Sequence, residues 1–207
     1  MTSFTPDNAQ RFAAALARFD AENSRDPKSV LCDQVELPYE VAYARWLSDW
    51  VLRLNPEASE ALQLAGHCQH LRRWEIPRKS YPATRAGYLQ WRQVLKEFHA
   101  RKAGEILRES GYPDAIIQLV QDLNLKKHFP ADPECRTLED ALCLVFLERQ
   151  YTDLAAKTTE KKMITALQKC WTKMTPAAHA LAMQLDLSPE GKRLLDQALK
   201  PRIPFQP

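Results

Sequence analysis

Apolar residues recur along this chain with the 3.6-residue period of helices, and no segment shows a sustained period-2 alternation. In residues 6–22, Phe12, Ala15, Leu16 and Phe19 share one helical face behind Asp7 or Asn8, either of which suits a capping position. The polar run 22–38, with two prolines, predicts a loop. A second helix over about 37–54 places Val41, Ala44, Leu47, Val51 and Leu54 together and stops at Asn55-Pro56. A third is predicted from Pro56 or Glu57 to about Trp74. After the proline-bearing loop 75–82, a long fourth helix over 83–110 ends at Gly111, a residue suited to a C-terminal cap.

Pro113 opens a short fifth helix over 113–123, and 124–135 reads as loop. A sixth helix over 137–151 is apolar on nearly every side. Further helices follow within 157–174, 175–185 and 188–199, each opened by Thr or Ser. No repeat of 20 to 50 residues is visible. The pattern predicts an all-α fold: one domain over 1–207, a bundle of eight to ten helices, with extended tails at about 1–5 and 200–207.

Composition narrows the class. With 207 residues, 45% of them hydrophobic and 27% charged, the chain is long enough for a sizeable core. No apolar run approaches the roughly 18 residues of a membrane span, so no membrane partner is expected. The first residues carry neither a basic start nor an apolar leader, so a cytoplasmic location is expected. Five cysteines without a CxxC pair fit a reducing compartment. Neither GxGxxG nor GxxxxGK occurs, so a nucleotide would have to be held by side chains.

Charge is unevenly spread. Residues 67–102 hold nine Lys/Arg against two acids, whereas 1–66 hold six against ten and 103–207 fourteen against fourteen. The whole net charge of +3 therefore arises in one segment, which also contains His67, His70, His99, Trp74 and Trp91.

His67 and His70 lie three residues apart, on one helical face, and His99 shares a stripe with Tyr88, Arg92 and Leu95. In the sixth helix Glu139 and Asp140 sit near the start of an otherwise apolar run, and a buried carboxylate requires a partner. Either Glu139 occupies a favourable helix start while Asp140 pairs with an arginine, or Asp140 joins His70 and His99 in a metal site. Arg72, Arg73, Arg78, Arg85 and Arg92 are suited to gripping phosphate, and Trp74, Tyr81, Tyr88 and Trp91 are interleaved with them for stacking. His128 and His179 read as structural or solvent-facing. Cys68, although beside two histidines, is set at an angle to both.

Two resemblances follow from these blocks. The run from Leu62 to Ala100, with TLEDALCLVFLE and ALQKCWTKM, resembles a conserved family of bacterial, fungal and plant proteins described only as a domain of unknown function, over about Asp20 to Leu185. It implies shared structure without an activity. The order of a helix ending in His, a long helix with His, and an apolar helix with Asp is similar to the HD-domain metal-dependent phosphohydrolases. That resemblance implies His70, His99 and Asp140 as metal ligands. Leu71 stands where that family has Asp, and no histidine precedes His67, so Glu36 or Glu40 would replace the first ligand, Glu40 lying 30 residues before His70, a reasonable helix-to-helix interval.

The resulting expectation is an HD-like helical protein holding a phosphorylated ligand, a nucleotide or RNA end, in an Arg/His-lined cavity. A divalent Mn, Fe, Mg or Zn ion on His70, His99, Asp140 and Glu40 would activate water, with Glu139 or His67 managing the proton. The alternative is a non-catalytic module that binds RNA or a protein through the same basic aromatic surface.

Overall fold

A computed structural model describes residues 6–32 and 34–200. The expected tails fall outside these residues, apart from Lys200. Among the described residues ten α-helices run in chain order: α1 Ala9–Asn23, α2 Tyr39–Leu54, α3 Glu60–His67, α4 Arg85–Glu109, α5 Asp114–Leu125, α6 Pro133–Val145, α7 Tyr151–Ala155, α8 Glu160–Trp171, α9 Pro176–Ala182 and α10 Pro189–Leu199. The all-α expectation holds. The chain divides after Leu138 into two compact units.

Local chemistry starts the helices where capping rules place them. The side chains of Asn8, Ser59 and Thr84 accept from Arg11 N (2.9 Å), Leu62 N (3.1 Å) and Gly87 N (3.1 Å), opening α1, α3 and α4. In the second unit Thr159, Thr175 and Ser188 do the same for α8, α9 and α10. Beyond α4 and its cap Ser110, Gly111 adopts φ +78°, the left-handed conformation that glycine enters freely.

The first unit departs from the sequence pattern in two places. The connector read as loop contains an antiparallel hairpin, β1 Ser29–Cys32 and β2 Val35–Pro38, with Ser29 opposite Pro38 and Cys32 opposite Val35. Two strands of four residues are too short to display alternation, and the hairpin becomes visible only through its backbone pairing. The third helix ends at His67 instead of about Trp74. From Cys68 the chain turns, and Arg72 takes φ +50°, where the buried Asn23 of α1 accepts its N–H at 3.0 Å. This turn sends Leu71 into the core with no exposure. Two short 3₁₀ turns, Arg73–Glu75 and Arg78–Ser80, then lead to α4. The apolar centre of this unit includes Phe19, Leu47, Trp50, Leu62, Leu64 and Leu107.

α6 begins four residues before the expected Thr137, at Pro133, because Asp132 caps it by accepting Cys135 N at 2.7 Å. Its second half enters the second unit and continues as a π-helical segment, Phe146–Gln150, into α7. There Leu144, Leu147, Met163 and Leu167 are buried. Gly191 of α10 lies directly against the Tyr151 hydroxyl, where a Cβ would collide.

Candidate functional site

The first unit gathers a polar group within its core. Glu40 in the first turn of α2, Tyr43 one turn on, His70 in the turn after α3 and His99 in the middle of α4 come together. His70 Nδ1 lies 3.1 Å from Glu40 Oε2, and its ring stacks on Tyr43 with centroids 3.8 Å apart and planes 12° apart. The His99 ring lies 5.9 Å from that of His70, and its Nδ1 is 2.9 Å from the carbonyl oxygen of Leu71. A carbonyl only accepts, so His99 carries its proton on Nδ1 and presents a bare lone pair at Nε2. That Nε2 is buried and has no hydrogen-bond partner among the described residues.

Positive charge surrounds this group. Arg73 Nε is 3.9 Å from Glu40 Oε1, and its guanidinium lies 4.9 Å from the centre of the Trp91 ring. Arg73 and Arg92 act electrostatically on both histidines, and Lys126 at the end of α5 acts on His70. Arg92 is half-buried and makes no ion pair among the described residues.

Burial and these cations set the protonation states. Burial drives the Glu40 carboxyl up to about 8, against the opposing pull of Arg73. Burial, reinforced by Arg73, holds His70 well below the usual imidazole range and His99 down to about 3. Near neutral pH the centre therefore consists of two neutral imidazoles and a largely protonated carboxyl under the field of Arg73 and Arg92. Its electrostatics favour an anion.

The remaining expected residues have other contacts. Arg72 pairs with Glu22 and Glu75. Arg78 donates to the carbonyls of Tyr81 and Pro82, 2.8 Å each, and so closes its own loop. Arg85 and Tyr88 are exposed on α4, with Tyr88 5.9 Å from the Trp91 ring, and Trp74 and Tyr81 are half-buried. Trp91 itself is buried, its indole N–H donating to Ile76 O at 2.8 Å.

His67 faces a different set. Its Nδ1 lies 3.0 Å from Ser48 Oγ and its Nε2 2.8 Å from Asp20 Oδ1, linking α1, α2 and α3 through three side chains. A carboxylate only accepts, so Nε2 carries a proton toward Asp20. Ser48 lies within α2, whose interior amides are engaged in helical hydrogen bonds. The arrangement ties three helices together.

In the second unit both buried acids have partners. Glu139 pairs with Lys173 at 2.9 Å. Asp140 accepts from Thr175 N at 2.9 Å and Thr175 Oγ1 at 2.5 Å, reinforcing the cap of α9. Among the described residues no group of three or more His, Cys, Asp or Glu side chains is arranged to hold a metal ion. Of the expected ligands, Glu40, His70 and His99 belong to the first unit and Asp140 to the second, and the positive charge acting on the histidines disfavours a cation there.

Tyr43 and Asn23 were not singled out by sequence. Tyr43 follows Glu40 by three residues on one helical face, a spacing that marks it in retrospect. Asn23 carried no signal, because its partners are the backbone of Arg72 and, at 3.4 Å, the carbonyl of Glu40. No helix among the described residues is long and apolar enough to cross a membrane. No curated protein and no solved structure matches the chain. Residues 13–195 match the family described as domain of unknown function DUF4202, and the chain belongs to that family.

Proposed function

We propose that the first unit binds a phosphorylated small molecule or RNA end, with its anionic group taken by Arg73 and Arg92 over His70 and His99. The observation that carries this reading is Arg92, a half-buried guanidinium without an ion pair among the described residues, two helical turns before His99 on α4 and acting electrostatically on both imidazoles. Arg73 adds a second fork, because a protonated Glu40 does not neutralise it at neutral pH. Lys126 contributes long-range attraction.

A nucleotide suits the site as a ligand, since the half-buried and exposed aromatics Trp74, Tyr81 and Tyr88 accompany the cations in one stretch. The helix order similar to HD phosphohydrolases supports a phosphate ligand. The donors at His70 do not support metal-assisted hydrolysis, so the reading stops at binding. Five free cysteines support a cytoplasmic, reducing setting.

Calorimetric titration of adenosine monophosphate and of a 5′-phosphorylated RNA oligonucleotide tests the proposal. Binding that weakens steeply between low and high salt is expected. Absence of binding to either at millimolar concentration overturns it.

A further inference from the structure

Resting on that phosphate-binding reading, we infer that the ligand carries a hydroxyl group beside its phosphate and that His99 Nε2 accepts a hydrogen bond from it. The ligand class is thereby a sugar phosphate, a polyol phosphate or a ribonucleotide, as opposed to a simple phosphate ester.

Three observations lead to this class. The contact between Nδ1 and Leu71 O fixes the tautomer, so Nε2 can only accept. Nε2 is buried and unpartnered among the described residues, and His99 as a whole is 2% exposed. A buried acceptor left unmatched costs about 1–3 kcal/mol, so a ligand that supplies a donor gains over one that does not. Arg73 and Arg92, which would hold the anionic group, act on this same ring.

The chemistry of the donor is then restricted by its surroundings. A fully ionised phosphate has no hydrogen to offer, and its oxygens would repel the Nε2 lone pair. An ammonium group could donate, but the charges of Arg73 and Arg92, which act on His99, disfavour another cation. A neutral donor satisfies both constraints, and the hydroxyl is the neutral donor that sugar and polyol phosphates carry nearest the phosphate. In sugar phosphates and ribonucleotides such a hydroxyl lies within a few bonds of the phosphate, so one molecule can reach both the guanidinium groups and Nε2. The same contact would distinguish RNA from DNA where the hydroxyl is the 2′-OH.

The test compares wild-type affinity for glycerol phosphate and propyl phosphate, molecules of matching length with and without hydroxyls, by calorimetry. The expected result is at least about tenfold tighter binding of glycerol phosphate. His99→Phe should bring the two affinities together, and circular dichroism establishes that this variant folds. If it does not fold, the wild-type ratio and a titration-dependent shift of the His99 Nε2 signal in ¹⁵N NMR decide. Equal wild-type affinities would overturn the hydroxyl inference while leaving phosphate binding intact. Binding of neither compound would overturn the phosphate reading itself.

Discussion

Replacing Glu40 with Gln should change how stability depends on pH, in a direction fixed by the site's burial. Glu40 is 5% exposed, and its carboxyl is raised from 4.5 to about 8 by desolvation, with Asp26 adding to the rise and Arg73 and Lys28 opposing it. A raised folded-state value means that the folded chain holds a proton the unfolded chain has released. Stability from this proton is complete below about pH 4.5 and is lost as pH rises through 8. Each pH unit is worth about 1.4 kcal/mol, so the full loss is on the order of 5 kcal/mol. Gln keeps a neutral carbonyl and amide near His70 Nδ1 and removes the titration. Urea unfolding of wild type and Glu40→Gln at half-unit steps from pH 5 to 9 measures the effect. The variant should gain on wild type progressively, by several kcal/mol at the alkaline end. A stability gap that stays constant from pH 5 to 9 would refute the assignment of a buried, protonated Glu40. The histidines act in the opposite sense: with folded-state values depressed, they withdraw stability as pH falls below about 6.5, in both proteins alike.

Two further outcomes follow from named contacts. Asn23→Ala leaves the left-handed Arg72 amide and the Glu40 carbonyl without their side-chain partner in a fully buried position, and should cost about 2–3 kcal/mol in chemical denaturation. Asp140→Ala removes both acceptors of Thr175 and should destabilise the second unit by about 2 kcal/mol. Hydrogen exchange should then rise in α9, and ligand affinity at the first unit should stay unchanged.

Most of the helical framework was legible because it is written locally. Ser, Thr and Asn at helix starts, prolines at the openings of α9 and α10, and Gly111 after α4 each act within a few residues of their own position. What sequence could not show depends on distant partners. The early end of α3 is set by Asn23, 49 residues away, capturing the Arg72 amide. The hairpin depends on pairing between strands too short to carry a period.

The site was legible in part for the same reason. The cation density near His70 and the 30-residue interval from Glu40 to His70 pointed to residues that do come together. Glu139 and Asp140 were correctly expected to need partners, but local pattern could not tell a histidine or a metal from Lys173 and the Thr175 cap. The Ser48–His67–Asp20 link was invisible because each member comes from a different helix and none stands in a recognisable motif.

On our proposal Arg92, with Arg73, receives an anionic group over neutral His70 and His99. Calorimetric titration of a phosphomonoester into wild type, Arg92→Ala and Arg101→Ala addresses it most directly, since Arg101 is an exposed arginine of the same helix, paired with Glu105. Loss of one charge-assisted contact is worth about 1.5–3 kcal/mol, so Arg92→Ala should weaken binding by about 10- to 100-fold while Arg101→Ala remains close to wild type. Equal affinities of wild type and Arg92→Ala would contradict the account.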